Sequence, residues 1–295
     1  MRNLGIDLGG TTAKIGIAEG DRVIGRVTVP TRSDGEYSAV LQDLATASKK
    51  LIDLYGAEHI GIGSPGLIDT SSGTVCFSNN ILWKNVPLGK DLESALHLPV
   101  RIANDAKCAA LGEALYGAGR AYFRVLMLTL GTGVGGAFVR DGMEEMGNMY
   151  ADASAIFGHM TIEHGGRPCT CGRCGCLEAY CSATALAKRA KEVLKEDLSA
   201  EELFLCARNK DASAEKLIAE FAEYLADGTV NLVNAFRPEI VVFGGGVSAS
   251  SDLFLPAVNE RLARDTFGFA FAPVRAVSAA LGNNAGIVGA AALWK

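Results

Sequence analysis

The sequence predicts an α/β protein built from two domains. At 295 residues the chain has room for about two domains, because single hydrophobic cores stop growing near that length. Strand-like and helix-like segments alternate along it, as in α/β domains with mixed sheets. A strand, a Gly/Thr turn and a second strand occur at Leu4 to Ile17 and again at Val125 to Val139. This spacing is too long for a solenoid, so we expect a duplicated domain whose two hairpins face each other across a cleft.

The first half continues with one helix and several short elements. "SAVLQDLATASKKLIDLYG" has helical periodicity and ends at Gly56, and "HIGIGSPGLI" predicts a strand that leads into a loop. "LPVRIANDAKCAALGEALYG" predicts a strand, then Asn-Asp, then a helix that ends at Gly117. Because this segment lies where the first half passes into the second, we place the interdomain cleft here. The predicted domains are residues 1–103 and 104–282.

The second half contains a long helix, "DASAEKLIAEFAEYLADGTVNLVNAF", which Pro238 cannot continue. "EIVVFGGGV" predicts a buried strand that opens into glycines. The final segment, 283–295, has helical composition, and we expect it to pack back on the N-terminal domain.

Composition limits the classes of function. Apolar residues make up 49% of the chain and charged residues 21%, which is ordinary for a globular protein. The net charge is −5 and no basic run occurs, so nucleic acid and anionic membrane are unexpected partners. The start of the chain has no signal-peptide pattern, and no apolar run approaches a membrane span. We therefore expect a cytoplasmic protein, in which clustered cysteines indicate a metal site rather than disulfides.

Three glycine-rich turns indicate nucleotide phosphate binding. Glycine lets the backbone approach a ligand, its amides can bind phosphate, and an aspartate beside it can hold a metal ion directly or through water. The alternative is a set of glycine-rich turns without a ligand. Neither a Walker loop nor a Rossmann fingerprint occurs. The predicted nucleotide-binding residues are Asp7, Gly9, Gly10, Thr11, Thr12, Lys14, Gly131, Thr132, Gly133, Gly244, Gly245 and Gly246.

Asn104 and Asp105 lie between a predicted strand and a predicted helix. Both residue types are favoured as helix N-caps, which is the structural alternative. An aspartate at a domain cleft also suits a sugar kinase, because the attacking hydroxyl must lose its proton as the phosphoryl group arrives. The two interpretations are compatible. We expect the helix N-terminus to lower the pKa of Asp105.

Four cysteines within eight residues, in "CTCGRCGC", predict a structural zinc site. Cys169, Cys171 and Cys176 together with His159 supply three thiolates and one imidazole, a closed tetrahedral set. The alternative is a redox or incidental cluster. We leave Cys174 and Cys181 outside the metal set, because an all-cysteine site would be crowded in so short a loop. The remaining cysteines, Cys76, Cys108 and Cys206, suit small buried hydrophobic positions.

The ordered motifs "DLGGTTAK", "GSPGLID", "NDAKCAALGEALYG", "LTLGTGVGG", "FGHM", "CTCGRCGCLEAY", "FGGGVS" and "LGNNAGIVGAAAL" span nearly the whole chain. In this order they resemble the ROK family (repressor, open reading frame, kinase), and within it the glucokinase-like sugar kinases. The resemblance implies the actin-like ATPase fold of two ribonuclease-H-like domains around an active-site cleft, with ATP, Mg²⁺ and structural Zn²⁺. It implies that Asp105 is the general base, that Asn80, Asn104, His159 and Glu178 bind the sugar, and that the zinc ligands are those chosen above. A homodimer is expected because family members are often dimers.

One departure from the family concerns the sugar. Kinases of the family usually carry G-E-x-G-H before the zinc histidine, and that glutamate binds a sugar hydroxyl, whereas "AIFGH" here has Ile156 at the glutamate position. The expected activity is phosphorylation of the 6-hydroxyl of a hexose. The alternatives are an N-acylhexosamine (N-acetylmannosamine or N-acetylglucosamine) or allose kinase, and a sugar sensor without kinase activity. A repressor of the family is disfavoured, because such proteins carry a DNA-binding domain before the D-x-G-G-T turn, and Asp7 follows only six residues.

Overall fold

The computed structural model describes residues 1–31, 36–140, 143–144 and 156–295. The strands are β1 (Asn3–Leu8), β2 (Thr12–Glu19), β3 (Arg22–Pro30), β4 (His59–Ser64), β5 (Leu67–Asp69), β6 (Thr74–Ser78), β7 (Trp83–Val86), β8 (Val100–Asn104), β9 (Arg124–Leu130), β10 (Val134–Arg140), β11 (Met143–Glu144), β12 (Ile240–Gly244) and β13 (Arg275–Ser278). The helices are α1 (Tyr37–Tyr55), α2 (Leu88–Leu96), α3 (Asp105–Tyr116), α4 (Glu178–Cys181), α5 (Ala183–Leu194), α6 (Ala200–Arg208), α7 (Ala212–Phe236), α8 (Leu255–Asp265) and α9 (Ala285–Ala291). The alternation of strands and helices confirms the predicted α/β class.

The chain divides into two compact units. Unit 1 comprises the described residues of Met1–Ala121, Val139–Ala155 and Ala280–Lys295, and unit 2 comprises Tyr122–Phe138 and Ile156–Ala279. The first boundary therefore follows Ala121, whereas the sequence suggested 103/104. The physical reason is that α3 packs against α9 and so belongs to unit 1.

Unit 1 is built on a five-stranded sheet in the order β3-β2-β1-β4-β8. The hairpin strands pair antiparallel, whereas β1, β4 and β8 run parallel. Nearly every residue of the central strands β1 and β4 is buried, Ile6 and Ile62 completely, as expected for parallel strands covered on both faces. A second, antiparallel sheet of β5, β6 and β7 follows β4 in the chain and was not expected from the sequence.

The C-terminal helix α9 packs on β1 and β4 of unit 1. A side chain at Gly5 or Gly61 would overlap the backbone of α9 at Ile287 or Ala290. These two strand glycines therefore allow a close helix-to-sheet contact, for which any larger residue would require the helix to shift.

The other five-stranded sheet has the order β11-β10-β9-β12-β13, and its parallel strands β9, β12 and β13 belong to unit 2. This order repeats the arrangement of unit 1, a hairpin followed by two parallel strands, as the duplicated sequence pattern predicts. The long helix α7 begins at the N-cap Asp211, whose side chain accepts a hydrogen bond from Ala214, and ends at Arg237 directly before Pro238. In the described parts of the chain, no helix is both long and apolar enough to cross a membrane.

Candidate active site and metal centre

In unit 1 the predicted site residues lie at the carboxyl edge of the parallel strands. Asp7 of β1 is in register with Gly63 of β4, and Ser64 of β4 is in register with Asn104 of β8. The Cα of Asp105 lies 3.3 Å from where a side chain at Gly63 would begin. Asp7, Asn104 and Asp105 thus share one edge of the sheet, the place where open α/β sheets bind ligands.

Asn104 is the N-cap of α3. Its Oδ1 accepts hydrogen bonds from the backbone amides of Ala106 at 3.0 Å and Lys107 at 3.3 Å, and its Nδ2 donates to the Gly66 carbonyl at 3.1 Å. Of the Asn-Asp pair, Asn104 is therefore the residue that serves as the helix N-cap. One amide hydrogen on Nδ2 stays available for a ligand, since an amide nitrogen carries two donors.

Asp105 is the first residue of α3 and is half-buried. Its Oδ1 accepts a hydrogen bond from the Ala106 amide at 2.9 Å. The expectation that the helix end lowers its pKa was wrong. Burial raises the pKa from its ordinary value of 3.8 to about 6; the hydrogen bond from Ala106 opposes this shift and the nearby carboxylate of Asp7 adds to it. The loss of hydration outweighs the helix N-terminus here.

Asp7 faces Lys14 across the β1–β2 hairpin. The two are cross-strand partners, with Lys14 Nζ 3.8 Å from Asp7 Oδ2. Burial raises the pKa of Asp7, and the charge of Lys14 partly offsets that rise. At the hairpin turn, Gly10 lies against Asn80, and Thr11 and Thr12 are exposed. The turn therefore brings the predicted nucleotide-binding residues and one predicted sugar-binding residue close to each other.

Unit 2 holds the other two glycine-rich turns side by side. Gly131 to Gly133 connect β9 to β10, and Gly244 to Gly246 form the end of β12 and the turn after it, with β12 parallel to β9. A side chain at Gly245 would overlap the carbonyl of Leu130, the residue just before Gly131. Two of the three predicted phosphate turns thus lie at the carboxyl ends of adjacent strands.

The Gly131 to Gly133 turn is held by the segment that follows the cysteine loop. Ala183 donates its amide to the Gly131 carbonyl at 2.7 Å, and the Thr184 hydroxyl donates to the Thr132 carbonyl at 2.8 Å. A side chain at Gly133 would begin 2.5 Å from Glu178 Oε2, so a larger residue there would displace the Glu178 carboxylate.

The four predicted zinc ligands, His159, Cys169, Cys171 and Cys176, lie together in unit 2. Their ligand atoms are all within 4.8 Å of one another. Cys169 Sγ is 3.5 Å from His159 Nδ1, and Cys171 Sγ is 3.7 Å from Cys176 Sγ. Tetrahedral zinc with bonds of about 2.3 Å to sulfur requires ligand separations of about 3.7 Å. The donor set and its spacing therefore fit a structural zinc ion.

The other cysteines lie outside this set. Cys174 is exposed, and Cys181 is buried in α4, where burial raises the pKa of its thiol. Cys108 is buried, as expected, whereas Cys76 and Cys206 are only half-buried. Within the set, burial and hydrogen bonding to its neighbours raise the pKa of Cys176 to about 12 in the metal-free chain. Zinc binding would displace that proton, because only the thiolate ligates the metal.

Glu178 contacts both the cysteine loop and the β9–β10 turn. Its Oε2 accepts the Val134 amide at 3.0 Å, and its Oε1 accepts the Thr170 hydroxyl at 3.2 Å. Each carboxylate oxygen retains a further lone pair for a ligand hydroxyl. His159 presents Nδ1 to Cys169, which leaves Nε2 for a second contact. The same two residues can thus serve the metal loop and a sugar.

Ile156 lies directly before the 3₁₀ turn Phe157–His159, and its carbonyl accepts the His159 amide at 3.1 Å. Its side chain is 56% exposed. Ala155 and Asp152, the residue that could replace the missing glutamate, lie outside the described residues. The described part of this segment therefore presents hydrocarbon at the position where the family resemblance led us to expect a glutamate.

Sequence reasoning gave no role to Glu113, a fully buried acid in α3. Its carboxylate accepts amides from Ala118, Ala280 and Leu281 at 2.7 to 3.0 Å. It thereby joins the end of α3 to the start of the C-terminal segment within unit 1. A signal was available, since this acid lies among the apolar residues of "AALGEALYG".

The sequence model of the ROK family matches residues 3–295. The chain belongs to the ROK family. It is 35% identical to a glucokinase from Halalkalibacterium halodurans, over 99% of this chain and 94% of that one. A ROK hexokinase from Thermus thermophilus superposes with a TM-score of 0.85 at 34% identity, covering 99% and 97% of the two chains. A ROK glucokinase from Streptomyces griseus, solved with glucose and AMPPNP, superposes with a TM-score of 0.87 at 30% identity, covering 99% of both chains. The solved structures confirm the predicted fold, the actin-like ATPase fold of ROK sugar kinases.

Proposed function

We propose that this ROK protein is an ATP- and Mg²⁺-dependent kinase that phosphorylates the 6-hydroxyl of a hexose. The observation that carries the proposal is the carboxyl edge of the unit 1 sheet, where Asp7, Asn104 and Asp105 lie together beside the Gly9–Gly10 turn. Similarity to glucokinases and a ROK hexokinase over nearly the whole chain supports it. So does the complex of the Streptomyces griseus relative with glucose and AMPPNP.

Asp105 has the properties of a general base for this reaction. A base is most effective when its pKa lies close to the working pH while it remains ionised. With a pKa of about 6, Asp105 is largely ionised at neutral pH and more basic than an exposed aspartate. It would accept the proton of the attacking hydroxyl, and Asn104 would orient the sugar with its remaining amide hydrogen.

The nucleotide and its metal ion use the glycine-rich turns and Asp7. Mg²⁺ prefers oxygen ligands, and it neutralises charge on the phosphates during transfer. Asp7 is half-buried, carries a raised pKa and has one cationic neighbour, Lys14, at 3.8 Å. A carboxylate in this setting suits a divalent cation, held directly or through water. The glycines and threonines of the three turns would bind the phosphates through backbone amides and hydroxyls.

The cysteine loop would hold the sugar-binding residues in place through a structural zinc ion. His159, Cys169, Cys171 and Cys176 are the proposed ligands, and the ion would fix the backbone that carries His159 and Glu178. Asn80, at the Gly10 turn, is a further proposed sugar contact. The homodimer and the cytoplasmic location expected from the sequence stay predictions.

A second candidate substrate class is an N-acylhexosamine or allose. The exposed aliphatic side chain of Ile156 favours it, because it stands where relatives use an acid to bind a sugar hydroxyl. An ADP-release assay over a panel of hexoses and hexosamines tests both classes. Release with at least one sugar supports a kinase. Binding of a sugar by calorimetry without ADP release across the panel would instead support a sugar sensor.

A further inference from the structure

A cluster of charged and aromatic side chains joins the cysteine loop to two helices. We call it the ionic anchor, and it consists of Arg167, Tyr180, Arg189, Glu220 and Tyr224. Arg189 of α5 donates from Nε and Nη2 to the two carboxylate oxygens of Glu220, each at 3.0 Å. Arg167 donates from Nη2 to Oε1 of the same carboxylate. One acid of α7 therefore binds two guanidinium groups, one from α5 and one from the loop.

The anchor also reaches the helix that carries Glu178. The backbone amide of Arg167 donates to the Tyr180 hydroxyl at 2.8 Å, and its guanidinium lies 4.4 Å from the centre of the Tyr180 ring. The ring of Tyr224 is 5.5 Å away. Arg167 precedes Cys169 by two residues, and Tyr180 follows Glu178 by two. The contacts therefore close the cysteine loop at its base, whereas the predicted metal closes its tip.

The charges of the anchor make Glu220 its central member. All three charged side chains are half-buried, with 27 to 33% of each side chain exposed. Burial alone would raise the pKa of Glu220, but the hydrogen bonds from Arg189 and Arg167 more than offset it and lower that pKa. Loss of the carboxylate would leave Arg167 and Arg189 without their shared acid, and Arg189 would keep only its longer pair with the more exposed Glu192, at 3.8 Å, among the described residues. Losing that shared acid is costly in a partly buried place.

We propose that Glu220 is a positioning residue that holds the cysteine loop, and with it Glu178, through Arg167 and Tyr180. The inference rests on the proposed function for its effect on the sugar. The effect of Glu220 on metal release can be measured without catalysis. The anchor fixes the chain before the three cysteine ligands and after Glu178. It should therefore slow loss of the metal and preserve sugar binding, although its own side chains are not proposed to contact the metal or the sugar.

The test compares zinc transfer from the full-length, zinc-loaded protein to a chromogenic chelator. Glu220→Gln should release zinc about tenfold faster than wild type, as expected for loss of a partly buried charge pair. Glu223→Gln is the matched control, because Glu223 lies on the same helix and pairs with Arg261 away from the loop. Its release rate should stay within about twofold of wild type, because Arg261 keeps Asp227 and Asp265 as partners. A wild-type rate for Glu220→Gln, or a wild-type chain that takes up no zinc, overturns the proposal.

A second variant and a second readout separate positioning from general stability. Should Glu220→Gln fail to fold, Arg189→Met keeps the Arg167 contact and should still speed release, by about threefold, while an unchanged rate contradicts the anchor. In turnover, Glu220→Gln should raise the sugar KM more than the ATP KM, with little change in kcat, and Glu220→Asp should partly restore both values. An equal rise in both KM values indicates general loosening and overturns positioning. Zinc transfer is read without turnover, so an inactive wild type would refute only the proposed kinase.

Discussion

Glu178 Oε2 accepts a hydrogen bond from the Val134 amide at 3.0 Å. The carboxylate proposed to bind the sugar therefore also holds the end of the Gly131–Gly133 turn, a proposed phosphate-binding element. Sugar binding and nucleotide binding would both depend on Glu178. Substitutions can separate its bond to the sugar from its bond to the Val134 amide.

Glu178→Ala should raise the sugar KM by roughly 10- to 100-fold, the effect of losing a charged acceptor for a hydroxyl. It should also raise the ATP KM, because the Val134 amide loses its acceptor. Glu178→Gln keeps an acceptor for Val134 and should raise the sugar KM alone. Steady-state kinetics in each substrate give both values, with the exposed Glu215→Ala as control. An unchanged ATP KM in Glu178→Ala would contradict the shared role.

Asp105→Asn should lower kcat by at least roughly 10²- to 10⁴-fold, the range typical of positioned acid–base groups. The fold and ATP binding should persist, because asparagine can still accept the Ala106 amide. Asp53→Asn on α1, where the exposed Asp53 pairs with the exposed Lys49, is the matched control. A loss of only a few-fold in Asp105→Asn would leave Asp105 with a helix-terminal role alone.

The pH dependence follows from the pKa of about 6 for Asp105. The base must be ionised, so kcat/KM should fall about tenfold per pH unit below pH 6. Folding raises this pKa above its ordinary value of 3.8, so the ionised carboxylate destabilises the folded state. This destabilisation is absent below pH 3.8, grows as the pH rises, and is complete above pH 6. Asp105→Asn should accordingly raise the unfolding temperature at pH 8 and have little effect at pH 3.5. A lower unfolding temperature for Asp105→Asn than for wild type at pH 8 would mean that the folded protein stabilises the charged Asp105 carboxylate.

Elemental analysis should find about one zinc ion per chain, matching one four-ligand site. Cys169→Ser, Cys171→Ser and Cys176→Ser should each lose it. Cys174→Ser is the matched control, because Cys174 is exposed within the same loop and outside the ligand set. Zinc loss from Cys174→Ser would show that the ligand set is wrong. Chelation should weaken sugar binding before ATP binding, since the ligands flank Glu178 and not the Gly9–Gly10 turn.

Ile156→Glu tests the departure from the family. If hydrocarbon at this place lowers the affinity for a sugar hydroxyl, glucose should be a substrate with a high KM, and Ile156→Glu should raise kcat/KM for glucose by about tenfold. Asp152→Ala tests the alternative that Asp152 supplies the missing acceptor. A large loss of kcat/KM in Asp152→Ala would make Asp152 the sugar ligand and contradict the explanation based on Ile156.

The sequence predicted the elements whose patterns are local. Helix α1 ends at Gly56, α7 ends before Pro238, and both Gly/Thr hairpins form, because periodicity and turn residues report backbone preferences directly. The cysteine spacing likewise predicted the four residues that the structure brings together. The direction of the Asp105 pKa shift was wrong, since burial depends on what the rest of unit 1 places around the carboxylate. The link between Arg167 and Glu220 was also missed, because a sequence separation of 53 residues leaves no periodic signal.

The most direct test of the central claim is product analysis by mass spectrometry and NMR. The protein is incubated with ATP, Mg²⁺ and the best hexose of the panel, and in parallel with the 6-deoxy form of the same sugar. Transfer to the 6-hydroxyl should yield one hexose 6-phosphate from the first sugar, no product from the second, and only traces from Asp105→Asn. Phosphate on another hydroxyl, product from the 6-deoxy sugar, or no product from any sugar of the panel would contradict it.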